Sequence, residues 1–193
     1  MPLDNKIFFS INTDKINASY MLSCKLTDLL LQYDIYNKNL VIFCIGTDRS
    51  TGDCLGPLVG YKLSKLSLSK NITILGTLNN PVHAKNLDEN IVYIKESIQN
   101  PFVLAIDASL GKSENIGNIN LLLGPVYPGA GVNKKLQPIG DISITGIVNT
   151  SGFMEYIVLQ NTRLSVVMKM AEVITTSIYT SLKQIYNYKV AID

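Results

Sequence analysis

The sequence predicts a three-layer α/β domain: a doubly wound, mainly parallel (mixed) sheet with helices on both faces. Three observations carry that prediction. Residues 40–45, 72–78 and 102–106 are short apolar runs rich in β-branched and aromatic residues, the composition of strands covered on both faces. The segments between and after them repeat apolar residues at three- and four-residue spacing, as helices lying on a sheet do. Each run is closed by Gly, Asn, Asp or Pro, residues that bend the chain or accept backbone hydrogen bonds.

Residues 1–12 carry no clear period. Beyond them Ile16, Tyr20, Leu22, Leu26, Leu29, Leu30 and Tyr33 form a loose helical stripe, so residues 1–38 are expected to be a helical lead-in. The stretch 39–57, N-L-V-I-F-C-I-G-T-D-R-S-T-G-D-C-L-G-P, reads as strand, turn and helix. Leu55, Leu58, Val59, Leu63 and Leu66 share one helical face, Pro57 falls in the first turn where proline is tolerated, and Asp53 is the expected N-cap. The next strand ends at Asn79, Asn80 and Pro81, and residues 82–98 form a weaker helix that Pro101 ends. The 102–106 strand stops at Asp107. Residues 118–123 read as a strand, antiparallel or at an edge. The stretch 124–138, with three prolines and three glycines, reads as a lid or binding loop. Residues 142–148 form the last strand, and N-T-S-G leads to a short helix near Phe153. Leu164, Val167, Met168, Ala171, Ile174, Ile178, Leu182 and Ile185 make the longest apolar stripe, with Asn161 or Thr162 as cap and Met168 and Met170 in the core.

A chain of 193 residues with 47% hydrophobic content points to one domain over residues 1–193. Seventeen basic against 15 acidic residues leave a net charge of +2, which gives no electrostatic case for nucleic acid or an anionic membrane as partner. No apolar stretch nears the ~20 residues of a transmembrane helix, and the first residues lack a secretory signal's apolar region, so a cytoplasmic location is expected. Cys24, Cys44 and Cys54 form no C-x-x-C, so neither a disulfide framework nor a zinc site is expected. No metal or cofactor is expected either, and a homo-oligomer is left open.

The turn after residue 45 is the first place where chemistry can sit, because ligands of open α/β sheets bind at the carboxyl ends of the strands. A phosphate loop does not fit: it needs a lysine followed by Ser or Thr at the helix start, where this chain has Asp53 and Cys54. The dinucleotide fingerprint G-x-G-x-x-G is absent as well. One aspartate here is most simply a cap. Asp107 repeats the pattern after a second buried strand, and parallel strands bring both carboxylates to one edge, where like charges repel. Such a pair holds one proton between two acids: Asp53, at a helix N-terminus, is assigned the ionised role and Asp107 the protonated one. Asp48 and Arg49 lie in the same turn and are candidates for shaping a substrate pocket. In the long loop, Pro128, Gly129, Ala130 and Gly131 let backbone approach a ligand closely. His83, the sole imidazole, is a substrate-binding candidate if it reaches the pocket, a structural role being the plainer alternative. A rival chemistry is a thiol peptidase with Cys54 as nucleophile and His83 as base. A third reading is a peptide-binding protein that keeps the pocket without turnover.

At G-T-D-R-S-T-G-D-C-L-G-P, D-A-S-L and P-G-A-G-V-N-K the sequence resembles the germination (spore) protease family of spore-forming bacteria. It is most similar to small sporulation-associated proteins classed as spore protease-like. That resemblance runs from Asn39 to Ala171 and takes in P-V-H-A-K-N-L, I-T-G-I-V-N and G-F-M-E-Y-x-V-L-Q-N-T-R-L. It implies an atypical aspartic endopeptidase acting on small DNA-protecting spore proteins inside the forespore or spore, with Asp53 and Asp107 as its catalytic pair. The loop motif adds Asn133 to the substrate-binding candidates. Hydrogenase maturation endopeptidases are more distantly similar at the same two acids. Their nickel-contacting histidine follows the second acid, whereas His83 precedes Asp107, so a metal-guided reaction is not expected.

Overall fold

The computed structural model describes residues 6–129 and 136–190, and the side chains of all of these but 187–190. The strands are β1 (Lys6–Asn12), β2 (Asn39–Cys44), β3 (Ile72–Leu75), β4 (Pro101–Gly111), β5 (Asn118–Leu123) and β6 (Ile142–Thr150). The helices are α1 (Ala18–Gln32), α2 (Leu55–Ser64), α3 (Leu87–Ser97), α4 (Glu155–Gln160) and α5 (Leu164–Val190). The six strands form one sheet in the order β1-β5-β6-β4-β2-β3. β3, β2, β4 and β6 run parallel, while β5 is antiparallel to both β6 and β1.

Side chains alternate across a strand, and this alternation divides the core in two. Leu40, Ile42 and Cys44 of β2 and Phe102, Leu104 and Ile106 of β4 pack with buried residues of α1, α2 and α5. The residues between them, Val41 and Phe43 of β2 and Val103 and Ala105 of β4, pack on the other face against Leu87, Ile91 and Ile94 of α3. Burial of one such side chain contributes about 1.5–3 kcal/mol, so the unbroken apolar runs hold the sheet from both sides. The expected α/β class and the helices on both faces are therefore observed.

Several boundaries differ from the sequence reading. β1 went unread because K-I-F-F-S-I-N has no period of two: most of its side chains are solvent-facing or half-buried, and a register shift falls between Ile7 and Phe9. The 102–106 strand does not stop at Asp107 but continues to Gly111, paired with β6. Helix α3 starts at Leu87 rather than residue 82, because Val82 forms a parallel bridge with Ile45 and Asn86 closes a turn by accepting the His83 N–H at 2.8 Å. Leu66 lies beyond the end of α2 and is 37% exposed. In α5, Met170 is fully buried as expected, but Met168 is 40% and Leu164 56% exposed, so neither belongs to the core. Thr162 does not cap α5 with its hydroxyl, which instead donates to the Val158 carbonyl at 2.9 Å, and the Asn161 amide donates to Ile157.

Candidate active site

The parallel strands β2 and β4 lie side by side, Cys44 opposite Ile106, and their carboxyl ends open into a cleft of about 640 Å³. The cleft is lined by Asp53 and Asp107, by Asp48 and Arg49 of the turn after β2, by His83, and by Pro128 and Gly129 of the long loop. The described candidates for the carboxyl pair and its substrate pocket thus line one cleft, whereas Cys54 does not. Ala130, Gly131 and Asn133 lie outside the described residues.

Asp53 reaches the cleft through a tight backbone arrangement and is not the helix N-cap. That position belongs to Cys54, and no side chain caps the helix. The turn folds back so far that Thr47 N–H donates to the Asp53 carbonyl at 3.2 Å, and Gly46 sits against the same group. A Cβ at Gly46 would lie 1.9 Å from the Asp53 carbonyl oxygen, and its φ of +137° suits only glycine. The first turn of α2 is equally close: a Cβ at Gly56 would lie 2.1 Å from the Ile45 carbonyl oxygen. Backbone packed on backbone therefore fixes where the Asp53 carboxyl points.

Asp107 is delivered differently. It continues the face of β4 that carries Val103 and Ala105, and its Oδ1 accepts the Ala108 N–H at 2.8 Å. β2 has ended by this point. Residues 107–111 are paired with β6 on one side and, among the described residues, with no strand on the other. This overhang forms one wall of the cleft, and a register shift between Ser109 and Leu110 bends it.

Both acids are pushed above the usual carboxylate range, for unequal reasons. Burial raises Asp53, while the Thr47 N–H and the charge of His83 pull it part of the way back. Burial raises Asp107 well above the ordinary value, the negative charge of Asp53 adds to it, and the Ala108 N–H opposes. One site therefore contains two acids of unequal strength, Asp107 being the more strongly raised.

Sequence reading missed the hydroxyl groups of this cleft. Five buried side-chain polar atoms lack a hydrogen-bond partner among the described residues, and three of them, Ser50 Oγ, His83 Nδ1 and Ser109 Oγ, belong to residues lining it. An unsatisfied buried polar atom costs roughly 1–3 kcal/mol, so such a concentration marks a surface shaped for a polar occupant. Ser109 stands two residues beyond Asp107 on the same strand face, a spacing visible in D-A-S-L. Ser50 has no comparable signal.

Cys54 does not fit the role of nucleophile. It is 7% exposed, does not line the cleft, and donates its thiol proton to the Thr51 carbonyl at 2.9 Å. Burial and the neighbouring Asp53 raise its pKa, the opposite of what a reactive thiolate needs. Nor do the acids and His83 make a metal centre: among the described residues no three His, Cys, Asp or Glu side chains converge as a ligand set. No helix of the described residues is long and apolar enough to cross a membrane.

The layered sheet and the cleft at its carboxyl edge define a three-layer α/β protein. Its backbone resembles the crystal structure of a [NiFe] hydrogenase maturation protease, HycI from Thermococcus kodakarensis KOD1. The TM-score is 0.50 at 18% identity, over 79% of this chain and 99% of that one, a likeness of fold. Residues 10–177 match a family described as a protein of unknown function (DUF1256), and the chain belongs to that family. A relative from Bacillus subtilis (strain 168), the uncharacterized protein YyaC, is 55% identical over 137 residues. The match covers 71% of this chain and 66% of the relative, just under two thirds of its length.

Proposed function

We propose that the protein is an endopeptidase-type peptide hydrolase in which Asp53 and Asp107 work as a carboxyl pair. The observation that carries the proposal is that two acids, one from the turn after β2 and one from the overhang of β4, line one cleft, with the charge of Asp53 raising Asp107. Asp53 accepts a proton from water as that water attacks a peptide carbonyl, and Asp107 donates its proton to the carbonyl oxygen. Collapse of the diol breaks the C–N bond. The proton held on Asp53 passes to the leaving amine, and a diol proton returns to Asp107.

The walls suit an extended chain. The edge at residues 107–111, which no strand covers among the described residues, offers main-chain hydrogen bonds to a strand laid along it, with Ser50 and Ser109 able to take further polar groups. The substrate class is therefore protein or peptide. Spore proteins as substrates, a role in sporulation or germination, and a forespore or spore location rest on the sequence resemblance and belong to the same proposal.

The test is to incubate purified protein with a denatured spore-protein extract and read new termini by mass spectrometry. New termini with wild type that vanish with Asp107→Asn are expected. Termini that persist in Asp107→Asn rule out the carboxyl pair, and peptide retained without cleavage by wild type moves the reading to a binding protein.

A further inference from the structure

The ladder geometry of β4 decides which of its main-chain groups the cleft can use. In a strand, the N–H and C=O of one residue point to one neighbouring strand, and those of the next residue point to the other. On the β2 side the even-numbered residues serve: the Asn100 carbonyl accepts from Asn39 N–H at 3.2 Å, and the Ile106 carbonyl accepts from Ile45 N–H at 2.8 Å. On the β6 side the odd-numbered ones serve: the Val103 carbonyl accepts from Asp141 N–H and the Gly111 carbonyl from Ser151 N–H, both at 2.8 Å. The shift between Ser109 and Leu110 places its extra residue, Val148, in β6, so the alternation in β4 holds to its end. Ala108 and Leu110 therefore turn N–H and C=O to the edge that β2 has left. The next rung of the β2 ladder would carry Ala108 N–H to the Ile45 carbonyl, but the chain turns away at Gly46, and that carbonyl packs against Gly56 instead. Ala108 N–H is received at 2.8 Å by Oδ1 of Asp107.

We infer that Ala108 N–H is the main-chain donor of the proposed hydrolysis: the scissile carbonyl of an extended substrate takes it over from Asp107, while the substrate carbonyl two residues away bonds Leu110 N–H. This rests on the hydrolase reading and gives it a register. Two residues rise by the same distance in the substrate as in β4, so both bonds form together only when the substrate is a strand. A carbonyl oxygen has two lone pairs. One accepts the proton that Asp107 donates and the other accepts Ala108 N–H, which keeps its own proton and steadies the negative charge that gathers there as water attacks. Asp107 meanwhile gives up an N–H that favours its anion, so substrate binding tips it towards the protonated form that the donor role needs.

Proline tests this directly, because it deletes an N–H and is tolerated in a strand where that N–H faces away from the paired neighbour. Ala108→Pro and Leu110→Pro each remove one edge donor while the bonds to β6 stay in place. On a peptide that wild type cuts, Ala108→Pro should lower kcat by about 10²–10³-fold, the usual loss of a donor to a developing oxyanion, with KM within a few-fold of wild type. Leu110→Pro should raise KM and change kcat little, since its N–H holds the substrate away from the reacting atoms. A second readout needs no substrate: in protein labelled at aspartate Cγ, the Asp107 signal, identified by its loss in Asp107→Asn, is titrated by NMR. Its midpoint should move to higher pH in Ala108→Pro and stay in place in Leu110→Pro. Should proline disturb the fold, the α-hydroxy analogue of alanine inserted at residue 108 by nonsense suppression exchanges the N–H for an ester oxygen, with the same expectations. An unchanged kcat or an unmoved Asp107 midpoint in a folded variant overturns the inference and leaves the hydrolase reading standing. A wild type that cuts nothing in the spore-protein extract ends both.

Discussion

Asp53 and Asp107 are the same side chain placed by two different devices. Asp53 sits in a turn that only glycine at residue 46 permits, beside a backbone N–H and a histidine. Asp107 sits inside a strand, half-buried at the cleft wall, with one N–H at 2.8 Å for company. The difference teaches that surroundings alone can separate two identical acids: burial raises both, but Asp53 has two groups favouring its anion, whereas Asp107 has one and its neighbour's negative charge besides.

The largest test of this contrast is chemical. Asp53→Asn and Asp107→Asn should each lower peptide hydrolysis by about 10²–10⁴-fold, the usual contribution of a positioned proton donor or acceptor. The double variant should fall no further than the weaker single one, because members of one catalytic unit are not additive. Initial rates on one cleaved peptide decide it. Two additive losses would mean that the acids act separately.

Next comes the backbone that aims each acid. Gly46→Ala combines a 1.9 Å clash with fixed backbone and a φ of +137°, and should destabilise by at least ~1–3 kcal/mol. Gly111→Ala, near the end of the β4 overhang, meets only the Ile147 side chain at 3.0 Å and should cost much less. Thermal melts separate them, since each kcal/mol moves Tm by about 2–4 °C in a domain of this size. Equal losses would show that both acids are held with equal rigidity.

A smaller effect follows from linkage. Asp107 has a folded-state pKa raised above its unfolded value, so the native state binds more protons than the unfolded one between the two values, and stability falls as pH rises through that window. Asp107→Asn removes the penalty. The variant should melt above wild type at pH 7, and the gain should shrink towards pH 4. Asp53→Asn should gain less, because the Thr47 N–H and His83 already favour its anion. A gain for Asp107→Asn that is independent of pH would remove the protonation argument. The smallest effect is expected at Cys54. Cys54→Ser can still donate to the Thr51 carbonyl and should leave hydrolysis unchanged, whereas its loss would restore a thiol mechanism.

The parts of this architecture written as period or composition could be read in advance. β2 and the first half of β4 were legible because both faces are buried and both are apolar, and α5 because its stripe recurs over many turns. β1 was not, since an edge strand with most side chains in or near solvent has no apolar face to repeat. The end of β4 was hidden for a related reason: residues 107–110 line a cleft, and the small or polar Asp107, Ala108 and Ser109 imitate a loop. The two acids stood out because each interrupts a buried run. The convergence of His83 on them depends on a bridge between Val82 and Ile45 that no local pattern records. Orphaned hydroxyls such as Ser50 are invisible until the groups around them are placed.

The pairing of β1 with β5 has a consequence for the order in which the chain becomes a protein. During synthesis residues 6–32 emerge well before their partners: β1 needs 118–123, and α1 meets α5, where Ser177 Oγ donates to the Ser19 carbonyl and Thr27 bonds Ser181. Closing such long loops costs entropy before any contact repays it, which slows folding. The parallel strands β2, β3 and β4 are joined over shorter spans and can associate while the rest is still being made. Residues 6–32 therefore lock after the parallel strands, and until they do, the outer edge of β5 and the apolar face meant for α1 stay open to a chaperone or to another nascent copy.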